Sequence, residues 1–266
     1  MNVPAKQHSA AVPMLLTSVR NASEAADALA GGADIIDVKE PSRGPLGAAD
    51  WQQVQEVFHF VREQRPVSIA AGELLDSNLS ARIVPDGTQF VKFGLARCAR
   101  MGGWQSLLQQ AANNLPAGAQ IVPVAYADWL AAESPTPREV LQFATDHACP
   151  ILLIDTFQKE RGGLFEFWNW DSIAKLIDAA HSAGTAIALA GGLRGDRLAW
   201  AVAAGADVVG VRGAVCDSGR VGTLQRRLVA QVRHALDQHH RSNVLRRGKR
   251  ASSTSCLTKR ANSEYS

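Results

Sequence analysis

The sequence has no closely spaced cysteine pair and no pattern of metal ligands. Its four cysteines, Cys98, Cys149, Cys216 and Cys256, lie far apart, and its seven histidines show no ligand spacing. Structural zinc sites and disulfide frameworks need cysteines at short, recurring intervals. The sequence therefore predicts reduced thiols, no metal site and no disulfide framework.

Long apolar runs are also missing. The apolar stretches are roughly 5–8 residues long, whereas a membrane-spanning helix needs ~20 apolar residues. The amino terminus, MNVPAKQHSAAV, does not combine a charged start with a long apolar stretch, as a secretory signal would. These two absences predict a cytoplasmic protein without a membrane segment.

Charge is distributed unevenly along the chain. The 28 Lys and Arg and 25 Asp and Glu give a net charge of +3. Seven basic residues and one acidic residue lie between Arg241 and Ser266, so the rest holds 21 basic and 24 acidic residues. This Ser-rich, aperiodic tail cannot bury enough apolar surface to offset its ordering entropy. We predict a disordered, solvated basic tail over residues 239–266 and do not expect it to bind nucleic acid.

Eight short runs rich in Val, Ile, Leu and Ala recur along the chain. Each is nearly continuous in apolar residues, which is typical of strands buried on both faces of a parallel sheet. They lie near residues 14–19, 34–39, 67–74, 89–95, 120–128, 150–156, 185–192 and 207–213. Segments with helical spacing separate or follow them at residues 22–31, 50–63, 104–115, 136–148, 169–183, 196–204 and 221–237.

This alternation predicts an α/β fold, a single (β/α)8 TIM-type barrel. Barrels of roughly 250 residues form one domain. We expect a loose leader over residues 1–13, the barrel over 14–238 and the tail over 239–266. A doubly wound open sheet is the alternative, but it favours a GxGxxG fingerprint after the first strand, where this chain has RNASE.

Charged residues fall at the predicted strand ends, where barrels of this class carry their chemistry. Run two ends in Asp37 and Lys39, which share one side of a strand because they are two residues apart. Run four contains Lys92 between apolar neighbours, and run six ends in Asp155 with Lys159 in the next loop. Burial lowers a lysine pKa, and a neutral amine is what imine formation requires. The pattern predicts carbonyl chemistry carried out by lysine.

A structural interpretation of these residues stays open for each one alone. A lysine at a strand end is usually a solvated cap, and Asp37 with Lys39 could be an ion pair at the rim. The functional interpretation is favoured because three lysines and two aspartates converge on one rim of the predicted barrel.

Glycines follow the last two predicted strands. Gly191 and Gly192 follow run seven, and Gly213 follows Arg212 at the end of run eight. The loops after strands seven and eight are the usual phosphate site of these barrels, because glycine lets backbone N–H groups approach an anion closely. We predict a phosphate site at these four residues, with Arg212 adding a fixed charge. A tight turn is the alternative for the two adjacent glycines.

Five segments together resemble the (5-formylfuran-3-yl)methyl phosphate synthase family. They are GGADIIDVKEPSRGPLGA (31–48), FVKFGL (90–95), LLIDTFQK (152–159), ALAGGL (188–193) and GADVVGVRGAVC (205–216). The first segment is specific to this family, whereas the others are ordinary singly but agree in order and spacing. The resemblance covers about residues 14–236.

The resemblance implies an activity and a set of roles. Two molecules of glyceraldehyde 3-phosphate would condense to the furan aldehyde phosphate, with loss of phosphate and water, for biosynthesis of a methanofuran-type cofactor. Lys39 matches the Schiff-base lysine and Lys92 the proton acceptor, while Asp37, Asp155 and Lys159 match supporting polar residues. No metal or cofactor is implied.

Two other functions stay open. Another class I aldolase or an isomerase acting on a sugar phosphate would use the same lysine and phosphate loops. A barrel that binds a phosphorylated ligand without catalysis would bind but not turn over. We expect a small phosphorylated aldehyde as the substrate and a homo-oligomer as the assembly.

Overall fold

Eight parallel strands close into a barrel in sequence order. The computed structural model describes residues 11–75 and 84–261, with side chains as far as Val244. Pairing of the first strand with the eighth completes the barrel, so the predicted (β/α)8 fold is confirmed and the open sheet is excluded. The strands are β1 (Met14–Val19), β2 (Ile35–Val38), β3 (Val67–Glu73), β4 (Phe90–Gly94), β5 (Gln120–Tyr126), β6 (Ile151–Asp155), β7 (Ala186–Leu189) and β8 (Val208–Val211).

The described helices lie between and after these strands. They are α1 (Ala22–Ala30), α2 (Trp51–Val61), α3 (Trp104–Asn113), α4 (Pro137–Asp146), α5 (Leu164–Phe167), α6 (Trp170–Ser182), α7 (Asp196–Ala204) and α8 (Arg226–Ala261). Short 3-10 turns occupy Pro41–Arg43, Lys159–Arg161 and Gly213–Val215. No helix in residues 11–75 and 84–261 is long and apolar enough to cross a membrane.

Local sequence explains where several helices begin. The Asn21 side chain caps α1 by accepting a bond from the Glu24 N–H at 2.9 Å. At α4, Thr136 and Glu139 form a reciprocal capping box, and Pro137 occupies the first turn, where its missing N–H is harmless. The sequence signals for these helix starts therefore agree with the structure.

The last helix differs from its predicted limits at both ends. It begins at Arg226 instead of residue 221, because residues 221–225 belong to a closed loop in which the Gln225 N–H donates to Val215 O at 2.8 Å. It stays helical to Ala261, through residues predicted as a disordered tail. Side chains beyond Val244 and residues 262–266 lie outside the described part, as do residues 1–10 of the leader. Disorder of the tail therefore stays a prediction.

Alternation along the strands divides the core into two layers. One apolar cluster fills the barrel interior and includes Ile35, Ala70, Val122, Leu153 and Val208. The opposite face of each strand packs against the helices in a larger cluster. Because alternate residues of a strand face alternate sides, the interior face of β2 that carries Ile35 also carries residue 37. The barrel thereby directs a few polar side chains into an otherwise apolar interior.

The described cysteines are free and buried. Cys98, Cys149 and Cys216 form no disulfide. Burial raises the pKa of each of these thiols to about 11, which keeps them protonated at neutral pH. These cysteines therefore pack as small apolar residues, while the side chain of Cys256 lies outside the described part.

Candidate functional site

A cavity of about 430 Å³ opens among the carboxyl ends of the strands. Its deeper wall is apolar and includes Leu16, Ile35, Phe90, Val122, Ile151 and Val208. Its polar lining includes Lys39, Lys92, Asp155 and Lys159, together with the glycine loops after β7 and β8. The residues predicted from strand-end positions therefore meet around one cavity or directly beside it.

Lys92 and Asp37 form a buried ion pair inside the barrel. Lys92 Nζ lies 2.6 Å from Asp37 Oδ1, and the two side chains are 6% and 0% exposed. Ser18 Oγ donates a hydrogen bond to Asp37 Oδ2 at 2.8 Å. Breaking such a pair on one side would leave an uncompensated charge in the interior, so each partner fixes the position of the other.

Lys39 supplies an amine with an altered pKa. Its Nζ donates to Pro45 O at 3.0 Å. Burial, helped by the positive charges of Lys92 and Lys159 and opposed by Asp155 and Asp37, lowers the pKa of Lys39 to about 8. An amine with this pKa is partly neutral near pH 7 and can act as a nucleophile.

The loop after β2 holds the carbonyl that contacts Lys39. The Glu40 N–H donates to Gly47 O at 2.8 Å, which folds the loop back on itself. A Cβ on Gly47 would lie 2.2 Å from Glu40 O, so only glycine fits there. Leu46, beside it, packs into the interior cluster. The LGA part of the family-like segment thus shapes the loop that carries Pro45.

Lys159 and Asp155 form a second pair at the end of β6. Lys159 Nζ contacts Asp155 Oδ1 and donates to Thr156 Oγ1 at 3.2 Å. Burial by itself raises the pKa of Asp155, but Lys159 and Lys39 more than offset this, and the net pKa is lowered. Burial also lowers the pKa of Lys159, although Asp155 opposes the change. The site therefore keeps an ionised carboxylate beside two amines.

The loops after β7 and β8 line the same cavity. Gly191 and Gly192 have φ values of 92° and 68°, in the left-handed region that favours glycine. A Cβ on Gly191 would also lie 2.9 Å from Thr156 Cγ2. The backbone N–H groups of Gly192 and Gly213 take part in none of the turn, loop and cap hydrogen bonds of the described residues. The predicted glycines are thus placed where an anion could reach their N–H groups.

Arg212 lines this cavity, but its guanidinium is already hydrogen-bonded to other groups of the protein. It donates to Glu24 Oε2 at 2.5 Å, to Ser18 O at 3.1 Å and to Gly222 O at 2.7 Å. Glu24 balances its charge, and the side chain is buried. Arg212 therefore ties β8 to α1 and to the following loop. Sequence reasoning missed this partnership because Glu24 gives no signal of it.

The cavity lining also includes cationic side chains that the sequence analysis did not single out. Arg194 and Arg220 lie on its rim. The Arg220 guanidinium donates to Pro41 O at 2.8 Å and to Gly44 O at 2.9 Å, joining the loops after β8 and β2. Their only sequence signal is that they follow the glycines of the predicted phosphate loops.

Tyr126 and Glu73, two polar residues at predicted strand ends, form a carboxyl–phenol pair. Tyr126 OH donates to Glu73 Oε1 at 2.5 Å, and burial together with Glu73 raises the pKa of Tyr126 well above 10. Glu73 also accepts a bond from the Ala96 N–H at 2.8 Å. These residues end β3 and β5, as their strand-end positions in the sequence indicate, but the sequence gives no sign that they bond to each other. Within the described residues, no group of three or more His, Cys, Asp or Glu is placed to hold a metal ion.

Fold and site together define a (β/α)8 barrel with a lysine-rich cavity at the carboxyl ends of its strands. Phosphoribosyl anthranilate isomerase of Thermotoga maritima is similar in structure, with a TM-score of 0.60 at 12% identity over 85% of this chain and 99% of that one. 3-Hexulose-6-phosphate synthase of Salmonella typhimurium gives a TM-score of 0.54 at 16% identity over 85% and 100%. At these identities the likeness shows the fold alone.

Sequence comparison narrows this class to one family. The model of the 4-HFC-P synthase family matches residues 15–233, and the chain belongs to that family. A relative from Methanopyrus kandleri, named (5-formylfuran-3-yl)methyl phosphate synthase, is 32% identical over 84% of this chain and 99% of its own length. A relative of the same name from Methanocaldococcus jannaschii is 31% identical over 83% and 98%. The resemblance noted in the sequence is confirmed.

Proposed function

We propose that the chain condenses two molecules of glyceraldehyde 3-phosphate to (5-formylfuran-3-yl)methyl phosphate, for biosynthesis of a methanofuran-type cofactor. One observation carries the proposal: the cavity of a chain in this family contains a lysine, Lys39, whose pKa is lowered to about 8. Relatives named for this product support the choice of substrate and product.

The atoms of the reaction set the tasks of the site. Two trioses bring six carbons and two phosphates, and the product keeps six carbons and one phosphate. Balance requires that one phosphate and two waters leave. One triose therefore loses the phosphate from its C3, while the other keeps its own and supplies the phosphorylated methyl group, the ring carbon that bears it and one neighbouring ring carbon.

Lys39 forms the imine in this scheme. Its Nζ attacks the C1 aldehyde carbon of the first triose, and the carbonyl oxygen leaves as water. A pKa near 8 leaves about one in ten of these amines neutral at pH 7, against about one in three thousand for an ordinary lysine. Burial of Lys39 beside two other lysines thus favours nucleophilic attack.

Lys92 first gives a proton to the oxygen that leaves as water, and its neutral amine then takes the proton from C2 of the imine. Loss of that proton gives an enamine, and its electron pair expels phosphate from C3. Asp37 holds the Lys92 amine from one side, and Ser18 holds Asp37. Lys159, oriented by Asp155, supplies positive charge to the departing phosphate.

The second triose adds to the carbon from which phosphate has left. Its C2, made nucleophilic as an enediol, forms the carbon–carbon bond. Ring closure with loss of two waters then forms the furan, and one water hydrolyses the imine to release the aldehyde and Lys39. We assign its phosphate to the N–H groups of Gly191, Gly192 and Gly213, with Arg194 and Arg220 as the cations on the rim. We assign Arg212 to holding that loop in place.

A purified-protein assay with glyceraldehyde 3-phosphate as sole substrate tests the proposal. We expect near-ultraviolet absorbance of the furan aldehyde and release of phosphate to rise together in the wild type. Both signals should vanish in Lys39→Met, which keeps the side-chain length without the amine. Borohydride trapping on Lys39 without furan absorbance would favour another aldolase or isomerase. Binding without trapping or turnover would favour a binding protein.

A further inference from the structure

A buried serine hydroxyl without a partner lines the cavity. Among the described residues, a few buried side-chain atoms lack a hydrogen-bond partner, and Ser68 Oγ is the one whose side chain also lines the cavity. Ser68 is 1% exposed. Native structures seldom leave a buried hydroxyl unpaired, because the lost bonds to water are not replaced. Ser68 therefore requires an explanation that packing does not give.

Ser68 and Ser18 flank Asp37 on the two neighbouring strands. The strand register pairs Ser18 of β1 with Asp37 of β2, and pairs Asp37 with Ser68 of β3. Residues paired in this way project from the same face of the sheet. The Ser18 hydroxyl already donates to Asp37 Oδ2, whereas the Ser68 hydroxyl has no hydrogen-bond partner. An unused donor thus lies next to the carboxylate.

The other oxygen of that carboxylate depends on Lys92. Asp37 Oδ1 lies 2.6 Å from Lys92 Nζ, but the approach lacks hydrogen-bond geometry, and Oδ1 has no other partner. Lys92 has to turn toward C2 of the substrate to take its proton in the proposed reaction. If Asp37 Oδ1 lost Lys92 and gained no other donor, a negative charge would be buried without a partner. That cost would oppose the movement of Lys92.

We propose that Ser68 is a positioning residue whose hydroxyl rotates to donate to Asp37 Oδ1 when Lys92 turns to the substrate, and rotates back when Lys92 returns. Serine reaches staggered positions by rotation about a single bond, so the exchange needs no backbone movement. The role in turnover rests on the proposed function of Lys92. The exchange of donors on Asp37 does not rest on that function, and it can be tested without substrate.

A double-mutant cycle in chemical denaturation tests the exchange of donors. In the wild type, Ser68→Ala removes an unpaired hydroxyl, so the unfolding midpoint stays unchanged or rises. In Lys92→Met, the Ser68 hydroxyl becomes the replacement donor, so adding Ser68→Ala lowers the midpoint. The sign of the effect thus depends on Lys92. Equal effects in the two backgrounds would overturn the proposal.

Ser18→Ala is the matched control for this cycle. The bond from Ser18 to Asp37 is present with or without Lys92, so its loss lowers the midpoint in both backgrounds. A response of Ser18→Ala that changed sign in the same way would show a general effect of the Lys92 substitution, and would overturn the assignment to Ser68.

Kinetics provide a second measurement that holds even if Lys92→Met does not fold. Ser68→Ala should lower kcat about tenfold with little change in KM, because the hydroxyl supports Lys92 movement and not substrate binding. Ser68→Thr, which retains a hydroxyl, should recover most of that loss. An unchanged kcat in Ser68→Ala would overturn the role in turnover. Absence of furan formation in the wild type would instead count against the proposed function, and the denaturation cycle would still decide the exchange.

Discussion

The two ends of the barrel use charged residues in opposite ways. At the amino end, Asp34 immediately precedes β2 and accepts a bond from the Leu15 N–H of β1 at 2.8 Å. Asp207 immediately precedes β8 and accepts one from the Ile187 N–H of β7 at 2.8 Å. Each aspartate follows the same Gly-Ala pair in the sequence and fastens a neighbouring strand. These charges stabilise the barrel.

The carboxyl end brings like charges together. Lys39, Lys92 and Lys159 line one cavity, with Asp37 and Asp155 beside them, and burial lowers the pKa of Lys39 despite both carboxylates. Such an arrangement costs folding free energy, which native structures accept at functional sites. Aspartates occur at both ends, so position along the strand decides what such a charge does.

The strongest test of this contrast is loss of an amine at the carboxyl end. Lys159→Met should lower kcat about 10²–10³-fold, because the departing phosphate loses its nearest cation. The furan and phosphate-release assay measures this. Lys175→Met replaces an exposed lysine of α6 and should leave the rate unchanged. Equal rates for the wild type and Lys159→Met would mean that Lys159 takes no part in catalysis.

Strand positions could be predicted from the sequence because buried parallel strands are continuously apolar. The run at residues 67–74 corresponds to Val67–Glu73, and the first run corresponds to Met14–Val19 without change. The run at 185–192 ends earlier than predicted, at Leu189, because Gly191 and Gly192 leave the sheet at positive φ. Apolar content identifies a strand, but backbone conformation decides where it ends.

Side-chain partners could not be predicted in the same way. Alternation along a strand tells which face a residue occupies, but its neighbours depend on the register between strands. Ser18 and Ser68 look like ordinary strand serines until the register places them on either side of Asp37. Arg212 looked like a free phosphate ligand because its partner, Glu24, lies at the start of a helix near the other end of the chain.

Replacing Lys39 should raise the free energy of unfolding, whereas replacing an ordinary interior residue lowers it. The folded pKa of about 8 lies below the ordinary value of 10.5, so the unfolded chain binds more protons between these values. The wild type therefore gains stability as pH rises from about 8 to 10.5 and carries the full cost below 8. Lys39→Met removes this cost and should raise the free energy of unfolding by about 1–3 kcal/mol at pH 7.

Urea denaturation of the wild type and Lys39→Met at pH 7 and pH 10 measures this difference. Groups away from this cavity titrate equally in the two proteins, so the gap between them should narrow at pH 10. A gap that stays constant would mean that the substitution acts through packing and not through the charge. If Lys39→Met were less stable than the wild type at pH 7, Lys39 would stabilise the fold, as the aspartates at the amino end do.

The smallest expected effect is at the amino end, where a change should affect stability alone. Asp34→Ala removes the acceptor of the Leu15 N–H and the partner of Arg233, which donates to Asp34 at 2.9 Å. Because Asp34 is partly exposed, water can replace some of these contacts, and we expect a loss of about 1–2 kcal/mol. Asp34→Asn keeps an acceptor for Leu15 and should lose less. Denaturation midpoints measure both variants, and kcat and KM should match the wild type. A fall in kcat with unchanged stability would mean that the division between a stabilising end and a reactive end does not hold at Asp34.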